Sequence, residues 1–99
     1  MYVIILEYRT PLAEIDAALD GHRQWLEQHY ADGTFLLSGR QEPRVGGVIL
    51  AGNLPRPELD TVLAADPLIA GGLATEQVIA VQASRAATPQ QWATATPQG

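Results

Sequence analysis

The segment at residues 2–8 constrains the fold of this chain more than any other. Its β-branched, aliphatic and aromatic residues contain no breaker, which is typical of a β-strand. Because side chains alternate between the two faces of a sheet, one face carries Tyr2, Ile4, Leu6 and Tyr8, and the other carries Val3 and Ile5. Helices on one side of the sheet would leave one of these apolar faces uncovered. We therefore expect a second copy of the chain to cover it, in a homodimer.

The remainder of the chain alternates between helical and extended patterns. Thr10-Pro11 is a favourable helix start, with the hydroxyl as the cap, and Asp20-Gly21 interrupts the helical pattern. The patterns predict helices over residues 12–19 and 21–31, strands over 34–38 and 47–51, a helix over 58–65 and a strand over 74–83. The order β-α-β-β-α-β is that of the ferredoxin-like unit. We therefore predict an α+β fold, with a four-stranded antiparallel sheet and helices on one face.

Length and composition set the domain organisation. The chain has 99 residues, 46% of them hydrophobic, which is enough for a single core. We assign residues 1–83 to the α+β domain. Residues 84–99 are mostly Ala, Thr, Gln and Pro and cannot form a core of their own. They are predicted to form a C-terminal tail, anchored on the partner subunit by Trp92.

Charge and cysteine content exclude several classes of partner. A net charge of −5 with only six Lys and Arg residues disfavours nucleic acid and anionic membrane surfaces. The apolar run at residues 3–6 is too short for a signal peptide or a membrane span. The absence of cysteine fits a reducing compartment. We expect a cytoplasmic protein with no nucleic-acid or membrane partner.

His22 and Asp66 are the candidate catalytic residues. His22 follows the Asp20-Gly21 break, near the start of the second predicted helix, and Asp66 precedes a proline where a later helix ends. An imidazole beside a carboxylate is a minimal device for general acid–base catalysis. The alternatives are that His22 bonds a neighbour for packing alone, and that Asp66 ends its helix by accepting a backbone N–H of residue 68 or 69.

Arg9, Ser38 and Arg40 are the candidate substrate-binding residues. A guanidinium group binds a carboxylate through two parallel hydrogen bonds, so an arginine in the site would indicate an acidic substrate. Arg44 is interpreted as a solvated loop residue, and for Arg9 and Arg40 that alternative stays open. Ser38 lacks the Gly-x-Ser-x-Gly context of an activated nucleophile, and is interpreted as a strand-end serine able to bond a ligand oxygen.

The sequence predicts neither a metal site nor a cofactor. His22 and His29 are two helical turns apart, roughly 10 Å along the axis, which is too far for one ion to bridge them. The Gly-Gly pairs at residues 46–47 and 71–72 lack the lysine and the context of a phosphate-binding loop.

An ordered set of short motifs runs through residues 2–82: His22-Arg23-Gln24-Trp25-Leu26, Asp32-Gly33, Leu37-Ser38-Gly39-Arg40, Gly46-Gly47-Val48-Ile49, Ala65-Asp66-Pro67-Leu68 and Gly72-Leu73. In this set the chain resembles the YciI-like (YCII-related) family. The resemblance implies a dimeric α+β barrel with His22 and Asp66 in an active-site cleft, and one branch of that family acts on chlorinated muconolactones. Arg40 stands where many relatives carry proline.

Two functional hypotheses follow. The first is a small cofactor-independent isomerase or lyase, in which His22 and Asp66 move a proton on a small organic acid or lactone. The second is a non-catalytic dimeric module that binds a small ligand or another protein through the same cleft. A hydrogen-bonded pair facing an open pocket would favour the first hypothesis, and a buried pair without a cavity would favour the second.

Overall fold

The computed structural model describes residues 1–90, which form a four-stranded antiparallel sheet with three helices on one face. The elements in chain order are β1 (Tyr2–Tyr8), α1 (Leu12–Ala31), β2 (Phe35–Arg40), β3 (Gly46–Ala51), α2 (Arg56–Ala64), α3 (Pro67–Ala70) and β4 (Ala74–Ala80). The strand order is β2-β3-β1-β4, with β1 and β3 at the centre. This arrangement confirms the predicted α+β ferredoxin-like fold.

The helix-covered face of the sheet holds the core. Ile4 on β1 pairs with Ile49 on β3, and both are almost fully buried. Trp25 on α1 packs over this face, and its indole N–H donates to the backbone oxygen of Val62 on α2 at 2.9 Å. Phe35 on β2 meets the indole edge-on, with ring centroids 5.0 Å apart. These contacts fix α1 and α2 on the sheet.

None of the helices α1 to α3 lies on the opposite face of the sheet, and we call it the open face. Cross-strand pairs share a face, and Val3 pairs with both Leu50 and Ile79. Its apolar residues are Val3, Ile5, Leu37, Val48, Leu50 and Ile79. Leu37 is 54% exposed and Ile79 is 39% exposed. The sequence predicted this two-sided apolar pattern for β1, and the structure extends it across all four strands.

The predicted break at Asp20-Gly21 is wrong, because α1 runs unbroken from Leu12 to Ala31. A Cβ atom at Gly21 would lie 3.2 Å from the Pro67 ring on α3. The missing side chain therefore allows a close contact between the two helices, which offsets the low helix propensity of glycine, about 1 kcal/mol. As a consequence, His22 lies in the middle of a helix and not at its start.

Other boundaries differ by a few residues. Pro11 is the N-cap of α1, and the Thr10 hydroxyl makes no cap hydrogen bond, contrary to the prediction. The four-residue helix α3 was not predicted, and β4 ends at Ala80. The division into a domain over 1–83 and a tail over 84–99 stays a prediction, and the expected contact of Trp92 lies outside the described residues. No helix within residues 1–90 has the length and apolar character needed to cross a bilayer.

Candidate active site

A cleft of about 230 Å³ opens between α1 and the helix-covered face of the sheet. Its apolar wall comes from Leu6, Tyr8, Leu19, Leu26, Val48, Ile49 and Leu68, and its polar groups come from His22, Arg23, Ser38, Arg40 and Arg44, with Gly39 and Gly47 completing it. Pockets that bind small molecules have this composition, an apolar lining with a few polar groups that fix orientation. The volume suits a compact molecule.

The structure brings His22 and Asp66 together at this cleft. The His22 Nδ1 atom lies 2.8 Å from the Asp66 Oδ1 atom, which is a hydrogen-bonding distance. The imidazole lines the cleft and is 13% exposed, whereas the carboxylate is fully buried behind it. The two residues come from α1 and from the turn between α2 and α3. The contact is therefore made by the packing of α3 against α1.

Asp66 has a second partner in its own chain segment. It is the N-cap of α3, and its Oδ1 atom also accepts the backbone N–H of Leu68 at 3.0 Å. The sequence predicted a hydrogen bond to the backbone of residue 68 or 69 as the alternative role of Asp66. In the structure this bond caps the start of α3, and it coexists with the contact to His22. The other oxygen, Oδ2, is buried without a hydrogen-bond partner among residues 1–90. Oδ1 thus makes both of the contacts that hold the carboxylate.

The contact with Asp66 determines which nitrogen of His22 is free. An ionised carboxylate can only accept hydrogen bonds, so Nδ1 must carry the proton that it donates. In the neutral imidazole, Nε2 then has a lone pair, and no residue in 1–90 makes a hydrogen bond to it. The Trp25 ring lies 5.5 Å from the imidazole and restricts its position. This geometry suits a general base.

Three arginines line the cleft, and their partners distinguish them. Arg44 is ion-paired with Asp16 on α1, and its guanidinium lowers the pKa of that carboxyl. Arg23 lies 3.8 Å from the Asp20 carboxylate. The Arg40 guanidinium makes no ion pair or side-chain hydrogen bond with residues 1–90. Arg40 is therefore the cleft arginine most able to take a carboxylate ligand.

The remaining candidates divide between the cleft and the opposite side of the sheet. Ser38 lines the cleft, where its hydroxyl is hydrogen-bonded to that of Tyr30. Arg9 is not among the cleft residues; its Nε donates to the Thr75 hydroxyl at 3.2 Å, and its guanidinium lies 3.4 Å from Glu7. Since residue 9 continues the odd-numbered side of β1, it lies with the open face.

A second histidine–carboxylate pair lies at the end of α1. His29 Nδ1 is 2.9 Å from Asp32 Oδ2, and the ring packs between Trp25 and Phe35. Hydrogen bonds from Thr34, and then the neighbouring His29, lower the pKa of Asp32. His29 does not line the cleft described above, so this pair is part of the turn and the core. Within residues 1–90, no three His, Asp or Glu side chains cluster closely enough to hold a metal ion.

Several cleft residues were not predicted from the sequence. Leu19, His22, Arg23 and Leu26 follow one helical stripe, at the spacing i, i+3, i+4, i+7. The assumed break at Gly21 separated Leu19 from the other three and hid the stripe. Arg44 was interpreted as solvated, because its partner on α1 is distant in sequence. The helical stripe could have been recognised from the sequence alone, whereas the ion pair of Arg44 could not.

Comparison with known proteins identifies a family that covers the whole described sheet and its helices. The model of the YCII-related domain matches residues 1–82, which include every strand and helix named above. No curated protein sequence matches the chain. A match over more than four-fifths of the chain is sufficient to assign the family. This protein therefore belongs to the YCII-related domain family.

Proposed function

We propose that this protein is a cofactor-independent isomerase or lyase that moves a proton on a small organic acid or lactone. In this proposal, His22 is the general acid–base group, Asp66 orients it, Arg40 binds a substrate carboxylate, and Ser38 bonds a substrate oxygen. The observation that carries the proposal is the 2.8 Å contact between His22 and Asp66 beside an open cleft. Such a pair facing a cavity is a minimal arrangement for general acid–base catalysis.

The burial of Asp66 supports an orienting role. Its carboxylate is fully buried and cannot itself reach a ligand in the cleft, whereas the imidazole is partly exposed there. The proton carrier is therefore His22, and Asp66 acts through it. In the reaction, a C–H bond beside a carbonyl breaks, its proton passes to Nε2 of His22, and the electron pair moves toward the carbonyl oxygen. Return of the proton to another carbon completes an isomerisation.

The cleft also limits the substrate. A volume of about 230 Å³ lies below the roughly 300–1,000 Å³ of drug-sized pockets, so the ligand is small. Arg40, which has no ion-pair partner within residues 1–90, favours a carboxylate, while the apolar wall favours a compact carbon skeleton. Lactones that carry a carboxylate side chain, of which muconolactone is one, combine both properties.

Deuterium exchange tests the proposed chemistry without knowledge of the complete reaction. A panel of lactones and carboxylic acids, including muconolactone, is incubated with the protein in D2O, and NMR follows exchange at carbons next to a carbonyl. The wild type is expected to accelerate exchange for at least one compound. His22→Ala should reduce the rate at least about 100-fold, since it removes the acid–base group. Gln24→Ala, an exposed change on the same helix, is the control.

Two results would overturn the proposal. One is a wild type that exchanges no member of the panel above the buffer rate. The other is a His22→Ala variant that exchanges as fast as the Gln24→Ala control. Asp66→Asn should give a smaller loss than His22→Ala, because it leaves the proton carrier in place.

We further propose that the protein is a cytoplasmic homodimer in which the open faces of two sheets pack together. The apolar side chains of Val3, Leu50 and Ile79 form one cross-strand row, which supports this arrangement because it leaves a continuous apolar surface. Ile5→Asp should shift sedimentation to the monomer, whereas Leu12→Asp, at the 42% exposed start of α1, should leave the dimer unchanged. A wild type that sediments as a monomer at micromolar concentration would refute the dimer.

The alternative is a non-catalytic dimeric module that binds a small acid or another protein. The capping bond from Leu68 to Asp66 favours it, because a structural role can by itself account for the buried carboxylate. This alternative predicts carboxylate binding that Arg40→Ala abolishes, with no exchange at carbon. The two functions are therefore separated by the exchange assay.

A further inference from the structure

The hydroxyl groups of Tyr30 and Ser38 are hydrogen-bonded to each other beside the cleft. Tyr30 lies in the last turn of α1, and its ring meets Phe35 edge-on with centroids 6.3 Å apart. Phe35 is only 3% exposed, so the core fixes one side of the tyrosine ring. Ser38 pairs with the buried Ile49 across β2 and β3, on the helix-covered face, and lines the cleft. The tyrosine hydroxyl is thus held against a residue of the site.

Acidity favours one direction of this hydrogen bond. Either hydroxyl can donate, but a phenol is a stronger acid than an aliphatic alcohol, which favours Tyr30 as the donor and the Ser38 oxygen as the acceptor. The serine then keeps its own proton available, and within residues 1–90 its hydroxyl has no hydrogen-bond partner other than Tyr30. A hydroxyl that accepts a hydrogen bond becomes a better donor, because bonds in a chain polarise one another. Ser38 is therefore prepared to donate to a ligand oxygen in the cleft.

Proton abstraction by His22 would create a need for such a donor. When the C–H bond breaks and its proton passes to Nε2, negative charge develops on the carbonyl oxygen of the substrate. Donors directed at that oxygen stabilise the transition state, and the loss of one typically costs about 100- to 1,000-fold in rate. His22 and Ser38 both line the cleft, so a small carbonyl compound can contact both.

We propose that Tyr30 and Ser38 form an oxyanion site for the enolate oxygen of a small lactone or acid. Ser38 is the catalytic donor that touches the substrate, and Tyr30 is a positioning residue that acts through it. The inference rests on the proposed function, since the oxyanion site would stabilise the negative charge that forms when His22 removes a proton from the substrate. It also names the substrate class, which is a carbonyl compound with an acidic C–H bond.

Binding of a stable enolate mimic tests this site. Tetronate, the anion of 4-hydroxyfuran-2(5H)-one, has the ring size of a lactone enolate and carries its charge on oxygen, and γ-butyrolactone is the neutral comparison. Ser38→Ala should weaken tetronate binding about 10- to 100-fold, as expected for a lost hydrogen bond to a charged group. Tyr30→Phe should weaken it about 3- to 10-fold. The double variant should bind no worse than Ser38→Ala.

Controls separate this role from a general effect on structure. Tyr2→Phe removes a different tyrosine hydroxyl, one that donates to the backbone oxygen of Leu54 at 2.9 Å, and should leave tetronate binding unchanged. Tyr30→Phe should weaken γ-butyrolactone less than tetronate, whereas a merely structural defect would weaken both equally. Unchanged tetronate binding in Tyr30→Phe, or losses that multiply in the double variant, would overturn the role of Tyr30. Unchanged binding in Ser38→Ala would overturn the whole site.

The exchange assay separates this inference from the proposed function. A wild type that binds tetronate with the expected pattern but exchanges no deuterium would refute catalysis and support the oxyanion site as a binding site. A wild type that exchanges deuterium but does not bind tetronate would refute the oxyanion site and support the role of His22.

Discussion

Replacing Asp66 by alanine is expected to lower the free energy of unfolding by about 3 kcal/mol per protomer. Asp66 is fully buried, and its Oδ1 atom holds two partners, the Leu68 N–H at 3.0 Å and His22 Nδ1 at 2.8 Å. Loss of a helix N-cap typically costs about 1 kcal/mol. Loss of a hydrogen bond to a charged group costs a further 1.5–3 kcal/mol or so, and here it leaves His22 without its partner.

Other substitutions at the same position separate the two contacts. Serine is a good N-cap but its side chain is too short to reproduce the contact with His22, so Asp66→Ser should recover about 1 kcal/mol relative to alanine. Asparagine keeps an oxygen for both partners. However, it places an amide where the Oδ2 atom is buried without a partner among residues 1–90, which introduces an unsatisfied donor. Asp66→Asn should therefore fall between wild type and alanine.

Urea unfolding followed by circular dichroism, at one fixed protomer concentration, measures these losses. A double-mutant cycle of His22→Ala and Asp66→Ala should give a coupling of about 1.5 kcal/mol or more, because the two side chains touch. A loss below about 1 kcal/mol for Asp66→Ala, or strict additivity in the cycle, would show that these two hydrogen bonds do not stabilise the fold as expected. In either case the contact would not hold α1 and α3 together.

Two further predictions concern the sheet. Burial, and then the nearby Asp60 carboxylate, raise the pKa of Glu76, so the folded state binds its proton more tightly than the unfolded state and the ionised form is destabilising. Glu76→Gln should therefore raise the free energy of unfolding at pH 7 by roughly a few tenths of a kcal/mol. This difference should shrink as pH falls through the raised pKa and disappear below the ordinary glutamate range. A difference that stays constant across pH would contradict this prediction. Gly46→Ala should cost about 3 kcal/mol or more in urea unfolding, because its Cβ would lie 1.8 Å from the Leu6 oxygen. Gly39→Ala, with nothing within 4 Å of its Cβ, is the control, and equal stability of the two variants would contradict the packing argument.

The order of elements could be predicted from sequence because strand and helix periodicities are local properties. The length of α1 could not, because Gly21 is tolerated only through its contact with Pro67, which lies on a distant segment. The same limit applies to the cleft. Motif resemblance pointed to His22 and Asp66, but the ion pair of Arg44 with Asp16, which leaves Arg40 as the cleft arginine without a partner among residues 1–90, depends on tertiary packing. Arg9 was included because the alternation of β1 places it on the same side as Val3 and Ile5 but does not show which face of the sheet the helices cover.

The Tyr30–Ser38 contact could not be predicted from the sequence. Each residue has an ordinary local explanation, a helix-end tyrosine and a strand serine. Their hydroxyl groups meet only because α1 continues to Ala31 and packs across β2. The predicted end of the helix at residue 31 is correct. The contact also depends on the rotation of α1 about its axis, which is set by tertiary packing and cannot be predicted from the sequence.

The tautomer of His22 is the most direct test of acid–base chemistry in the cleft, since that chemistry requires an Nε2 atom without a proton. Long-range ¹H–¹⁵N correlation NMR identifies the protonated nitrogen of a neutral imidazole, and His29→Gln simplifies the assignment. We expect neutral His22 to carry its proton on Nδ1, bonded to Asp66, and Asp66→Ala to shift the population toward the Nε2–H form. A wild-type His22 with its proton on Nε2, or a tautomer that Asp66→Ala leaves unchanged, would rule out His22 as a general base oriented by Asp66.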